Sequence, residues 1–203
     1  MKLYYTTTSP FARKVRLFAL ESGIEKEIEL VQTTVRDPLG PLLAISPPGK
    51  VPVLETHDGM HLSEAVYICA YLEERFESAR RFPRDAKRWQ AVEMEGLACG
   101  LLDGVVTWVR ALRAPSAARN VKAIALEEAR VKRCLDAFDA LAPQFNPAAE
   151  RIPLRQITLI CALGALCFRL PDVDWRKNHP ALEQWWDAIS NRHSLIETAP
   201  FES

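Results

Sequence analysis

Apolar and polar residues alternate over short runs in the first third of the chain, then recur at helical spacing over long stretches. Leu3 to Tyr5 is a predicted strand, after which Phe11, Val15, Phe18 and Ala19 repeat every three to four residues until Gly23 supplies a stop. Glu27 to Leu30 alternates as a second strand, and the Pro- and Gly-rich stretch from Asp37 to Gly49 has room only for a short helix. Val53 to Glu55 and Met60 to Leu62, joined across His57-Asp58-Gly59, form a predicted hairpin. Ala65, Ile68, Cys69, Leu72 and Phe76 then line one helix face, which makes the order βαβαββα.

The apolar period lapses at residues 78–83, Ser-Ala-Arg-Arg-Phe-Pro, a charged connector of the kind that separates domains. Residues 1–77 and 84–203 are therefore expected to be separate domains, the second wholly helical. Trp89, Val92, Leu101, Val105, Trp108 and Leu112 mark one long helix, and Val121, Ile124, Leu135, Phe138 and Leu141 its neighbour after the break at Pro115-Ser116. Thr158 is expected to cap a buried helix through Leu170. Pro180 begins a last one whose inward face carries Leu182, Trp185, Trp186 and Ile189. The fold class is α+β, a mixed N-terminal domain followed by an all-α one.

At 203 residues, 48% hydrophobic and 26% charged, the chain can bury two modest cores. Its 26 basic residues balance 26 acidic ones, which removes the electrostatic footprint of a nucleic-acid or anionic-membrane binder and favours a small-molecule partner. The longest nearly apolar run, Ile157 to Phe168, is short of the roughly 20 residues a membrane helix needs. Polar Thr6 to Ser9 and basic Arg13, Lys14 and Arg16 interrupt any signal-peptide core, so a cytoplasmic location is expected. The basic groups Arg13 to Arg16 and Arg80 to Arg84 are expected to be solvated faces. Cys69, Cys99, Cys134, Cys161 and Cys167 contain no Cys-x-x-Cys pair, and His57, His61, His179 and His193 are scattered, so neither disulfides nor a metal site is expected.

Candidate chemistry concentrates in Pro48-Gly49-Lys50-Val51-Pro52-Val53-Leu54, with Ser63-Glu64 following after a short turn. A Val-Pro bond entering an apolar run suits a cis peptide, which turns the Val51 amide and carbonyl outward as an edge for another extended chain. Ser9-Pro10 upstream and Ser63-Glu64 downstream each open a helix, and helix N-termini favour negative charge. Ser9 can hydrogen-bond a thiolate, although a plain N-cap needs no more than the same hydroxyl. Thr7, Thr8, Tyr4 and Tyr5 are the alternative hydroxyls, and Ser9 is preferred among them. A small peptide bearing carboxylates and a thiol fits such a place, and glutathione answers that description.

The combination of Ser9-Pro10, Gly49-Lys50-Val51-Pro52-Val53-Leu54, Leu62-Ser63-Glu64 and the following helical half resembles the glutathione transferase superfamily over nearly the whole chain. The tail His179-Pro180-Ala181-Leu182, Trp185 and Arg192 to Ser194 is similar to that of bacterial serine-type members. The resemblance implies a thioredoxin-like N-terminal domain that binds glutathione, a helical domain that shapes a pocket for a small hydrophobic electrophile, and a homodimer. By position, Ser9 matches the residue that meets the glutathione sulfur, Val51 the backbone partner of the cysteinyl part, Pro52 the cis-proline, and Glu64 the acid near the γ-glutamyl amine. Phe11 is placed with these binding residues, and Lys50 reaches the glycyl carboxylate. Ala65 stands where the family has Ser or Thr, leaving only a backbone amide for the γ-glutamyl carboxylate. Cys161 stands where a capping box begun at Thr158 has Asp. Leu101, Val105 and Trp108 are implied near the second-substrate pocket, though aliphatic and aromatic residues at this spacing are more often core.

These assignments imply a transferase in which glutathione is co-substrate, no cofactor is permanently bound, and Ser9 stabilises the thiolate without itself attacking. Thiol-disulfide exchange through an enzyme mixed disulfide is disfavoured, because position 9 is Ser and the first helix contains no cysteine. The alternative is a binding or interaction protein on the same fold that lacks catalysis, for which Ala65 is the main hint. The electrophile is not encoded in spacing along one chain.

Overall fold

The computed structural model describes residues 1–35 and 37–202. They divide into two compact units, Met1–Arg81 together with the residues from Glu197 onward, and Phe82–Ile196.

In the first unit, β1 (Lys2–Tyr5), α1 (Pro10–Ser22), β2 (Glu29–Gln32), α2 (Leu42–Ile45), β3 (Val53–Glu55), β4 (His61–Ser63) and α3 (Ala65–Arg75) follow in the order βαβαββα. The sheet runs β2-β1-β3-β4, with β1 parallel to β2 and antiparallel to β3, and β3 antiparallel to β4. The register places Leu30, Leu3, Leu54 and Leu62 in one row across the four strands. Leu3 and Leu54 are fully buried, as are Val15, Phe18, Ile68 and Leu72 of the mutually packed α1 and α3. Alternation dictates the opposite row, where Glu29, Lys2, Glu55 and His61 sit side by side. On that face Tyr4 donates to Glu55 at 2.7 Å, which holds the Glu55 carboxyl below its ordinary range and pushes the Tyr4 phenol up.

Three local expectations shift. The second strand starts two residues later than Glu27, because Gly23 ends α1 in the left-handed region (φ 67°) and Glu25–Glu27 form a 3-10 turn. Burying Ile24 and Ile28 around that turn decides where extension begins. The hairpin's second strand starts at His61 instead of Met60, because Thr56 both donates its N–H to the Met60 carbonyl and accepts the Met60 N–H on its hydroxyl, drawing Met60 into the turn. The third shift concerns the basic faces: Arg13 is 6% exposed and Lys14 only 1%. Helix α1 is covered on more sides than one apolar stripe announces, since the chain from Glu197 groups with this unit. Arg81 is likewise held, donating to the Glu21 carbonyl and Ser22 Oγ with its guanidinium over the Phe18 ring.

The second unit contains α4 (Arg88–Arg113), α5 (Val121–Leu141), α6 (Leu154–Arg169) and α7 (Pro180–Ile189), with α8 (His193–Glu197) ending at the boundary between units. Helix α4 packs on both α5 and α6. At the α4 crossing with α5, a Cβ added to Gly104 would meet Arg130 Cδ at 3.0 Å and Val131 Cγ2 at 3.3 Å, so glycine gives these side chains room against α4. Asp139 of α5 accepts the Leu182 N–H at the start of α7. The buried His179 ring lies between the Trp175 carbonyl and Asp136, and Lys132 and His179 together keep the Asp136 carboxyl low.

Thr158 is not a helix cap. Helix α6 begins four residues earlier, after Pro153, whose carbonyl accepts the Gln156 and Ile157 N–H groups while the ring supplies no side-chain cap. Thr158 is thus inside the helix and fully buried, its hydroxyl 2.9 Å from the buried Glu95 carboxylate of α4, and Cys161 is a buried neighbour, not part of a capping box. No helix among the described residues is long and apolar enough to cross a membrane. None of the five cysteines, all among the described residues, forms a disulfide.

Candidate active site

The turn after β1 ends at Ser9, whose extended backbone (φ −80°, ψ 115°) makes it the N-cap of α1, with Pro10 preset for the first helical position. Its Oγ accepts the Ala12 N–H at 3.2 Å. That bond uses a lone pair only, so the hydroxyl of this half-buried serine keeps its proton for a ligand acceptor. Phe11, next in the helix, is also half-buried. Of the rival hydroxyls, Tyr4 is committed to Glu55, and the Tyr5 ring lies under the Arg16 guanidinium. Thr7 is buried and Thr8 half-buried.

Gly49 takes φ 61°, and a Cβ there would come within 3.0 Å of Leu43 Cδ2, so the loop before the clamp requires glycine. Lys50 beyond it is exposed. The Val51-Pro52 peptide is cis, and both residues are buried. Because β3 begins only at Val53, the Val51 N–H and carbonyl belong to no ladder or turn bond among the described residues. The side chain of Val51 packs with Ala12, Leu42 and Val53, which sets the clamp against the first turn of α1.

The pairing of Val53 with Ser63 brings the end of β4 alongside the clamp. The next residue, Glu64, is the one non-glycine among the described residues at positive φ (65°). Its carbonyl receives the Tyr67 and Ile68 N–H groups, while its exposed side chain makes no cap bond. The N–H groups of Ala65 and Val66, first in α3, have no intrahelical acceptor and remain available to an anion. Ala65 itself is buried.

Ser9, Val51, Pro52, Glu64 and Ala65 therefore belong to one contiguous part of the first unit, joined through Ala12, Val53 and Ser63. Leu101, Val105 and Trp108 lie on one face of α4 and are buried, with the Trp108 indole N–H unpartnered. The positive φ of Glu64, at a residue type that disfavours it, has no signal in the sequence, whereas the uncommitted backbone of Val51 is the outward edge that the Val-Pro bond announces. Among the described residues no group of three His, Cys, Asp or Glu side chains is gathered to hold a metal.

A mixed four-stranded sheet with a cis-proline ahead of its third strand, followed by a helical unit, defines a thioredoxin-like domain joined to an all-α domain. The family model described as glutathione S-transferase, N-terminal domain, matches residues 3–80. A glutathione S-transferase from Methylobacillus flagellatus, solved with glutathione bound, is 34% identical, with 98% of this chain and 99% of that one covered and a TM-score of 0.89. A glutathione transferase family member from Pseudomonas fluorescens Pf-5, solved with S-(propanoic acid)-glutathione, is 28% identical over the full length of both chains, with a TM-score of 0.86. The Escherichia coli protein YibF, described as an uncharacterized GST-like protein, is 28% identical over 98% of each chain. The chain belongs to the glutathione S-transferase superfamily.

Proposed function

We propose that this protein binds glutathione and joins the glutathionyl group, through its sulfur, to a small hydrophobic electrophile, as a serine-type transferase. The observation that carries the reading is the open backbone of Val51, whose side chain packs with Ala12, the residue whose N–H is accepted by Ser9 Oγ. An extended cysteinyl residue pairs with the Val51 N–H and carbonyl, which brings its sulfur toward the N-terminus of α1. Ser9 Oγ donates its remaining proton to the thiolate and keeps the Ala12 N–H as its own donor. The γ-glutamyl carboxylate takes the Ala65 and Val66 amides, Glu64 faces the γ-glutamyl ammonium, and Lys50 and Phe11 flank the remainder. Complexes of the two solved relatives with glutathione and a glutathione conjugate support the ligand.

The magnitudes suffice. Lowering a thiol pKa from about 8.5 to about 6.5 needs roughly 2.7 kcal/mol of preference for the thiolate. One hydrogen bond to the charged form contributes roughly 1.5 to 3 kcal/mol, and the helix end about 0.3 to 1 kcal/mol more. The thiolate then attacks the electrophilic carbon, the new C–S bond forming as the leaving group departs with the electron pair. Holding both reactants removes much of the entropic cost. Leu101, Val105 and Trp108 as electrophile contacts, a homodimeric state and a role in detoxification rest on likeness to the family alone.

The test is a glutathione titration in which the ultraviolet thiolate band is followed against pH, for wild type and Ser9→Ala. The expected result is a bound thiol ionising well below free glutathione in wild type and near it in the variant. An ionisation unchanged by the substitution removes Ser9 from the mechanism. Glutathione bound without conjugation of any aryl halide or isothiocyanate favours the binding-protein reading instead, for which Ala65 remains the specific observation.

A further inference from the structure

Ser9, Arg13 and Arg16 stand at i, i+4 and i+7, so they share one stripe of α1. Glu197 and Thr198 lie along this stripe. Arg13 Nε donates to Thr198 Oγ1 at 3.3 Å in a buried bond, and Arg16 Nη2 donates to the Glu197 carbonyl at 3.2 Å. Arg16 is itself braced over the Tyr5 ring, 4.9 Å from its centre, in the strand that leads to Ser9. Thr198 is only 1% exposed, and Arg13, a charged residue, only 6%. A guanidinium this deep requires acceptors, and the tail supplies one of them.

We propose that the segment from Glu197 onward is a strap that holds the first turn of α1, with Arg13 and Thr198 as positioning residues for the Ser9 hydroxyl. The first turn of a helix is where opening costs least, since its N–H groups lack intrahelical acceptors. Here that turn is closed by the Arg13 N–H to the Ser9 carbonyl, 2.9 Å, and by the Ala12 N–H to Ser9 Oγ. Arg13 lies about 6 Å along the axis from Ser9. Fixing its side chain from outside the helix therefore fixes the turn that aims the serine hydroxyl. Part of this inference, the consequence for catalysis, rests on the glutathione reading above; the strap itself does not.

The experiment compares wild type, the near-isosteric Thr198→Val and the hydroxyl-keeping Thr198→Ser. Hydrogen exchange of the Ala12 and Arg13 amides reports the two bonds that close the turn. Losing the acceptor for Arg13 is expected to speed both roughly 5- to 10-fold in Thr198→Val, with Thr198→Ser near wild type and the β3 amides unchanged. With glutathione present, Thr198→Val is expected to lower the thiolate fraction and kcat about 3-fold each, with KM little altered. Exchange in Thr198→Val equal to wild type overturns the strap, and so does Thr198→Ser as impaired as Thr198→Val, which would mean packing alone. Faster exchange with no thiolate band even in wild type keeps the strap and removes the glutathione reading. Faster exchange with an unaltered thiolate titration overturns the positioning of Ser9. Should Thr198→Val fail to fold, Arg13→Lys, which keeps the charge and removes the Nε donor, gives the same readouts.

Discussion

Helices α1 and α3 both start against the clamp, yet they start in opposite ways. At α1 the capping residue is extended and spends its side chain on the helix: Ser9 Oγ takes the Ala12 N–H and has only a proton left to give. At α3 the preceding residue sits at φ 65° with no side-chain cap, and the first amides are left bare. A single hydroxyl proton suits a sulfur anion, whereas a pair of open amides suits a carboxylate. Glu64 is held in a conformation that costs about 1 to 2 kcal/mol for a residue with a Cβ, and it is sustained by the Val53–Ser63 pairing on one side and two N–H bonds to its carbonyl on the other. In the proposed reading, different backbone solutions at two helix starts divide the recognition of one ligand into sulfur and carboxylate.

The largest expected effect breaks the α1 half. Ser9→Ala should lower kcat/KM with an aryl halide by about 10- to 100-fold and cost about 1 kcal/mol in urea unfolding through the lost cap. Retained activity with lost stability would leave Ser9 as a cap only. Next in size, Glu64→Gly relieves the positive φ while deleting the carboxylate. Stability should rise by about 1 kcal/mol while the Kd for glutathione, measured calorimetrically, rises roughly 10-fold. A variant improved in both respects would uncouple the strained backbone from binding.

A smaller change sharpens the α3 half. Ala65→Ser adds a hydroxyl beside the open amides and should tighten glutathione about 3-fold, with the bound thiol's ionisation unmoved, since the sulfur answers to α1. The smallest effect concerns the strands that carry both helix starts. The Tyr4 hydrogen bond lowers the folded-state pKa of Glu55, so its stabilisation is present above the unfolded value of about 4 and lost as pH falls through the folded one. The Tyr4 phenol is raised, so its share is present below about pH 10 and lost above. Tyr4→Phe should therefore lower stability across the neutral range and converge on wild type at both ends of the profile, as unfolding between pH 3 and 11 would show.

Much of the first unit is legible from residues alone, because strand alternation, the helical period and the Ser9-Pro10 boundary are local. The third strand falls at Val53–Glu55 and the long helices near their expected ends. Misreadings occur where partners are distant. Thr158 looks like a cap until the start of α6 at Pro153 turns its hydroxyl inward to Glu95, 63 residues away. Arg13 looks solvated until Thr198 meets its guanidinium, and Lys14 beside it is buried as well. Met60 looks like strand until Thr56 claims its amide.

The order of elements, the clamp motif, the serine at a helix start and the missing hydroxyl at position 65 were determined by the sequence itself, since backbone preference and hydrophobic period act over a few residues. Tertiary structure alone decided which other polar groups are spent and which are left over: the bare amides after the strained Glu64, and the arginines that bind Glu197 and Thr198. Those outcomes depend on segments as far apart as the 185 residues between Arg13 and Thr198, and burial assigns a polar group its partner only once such segments have met.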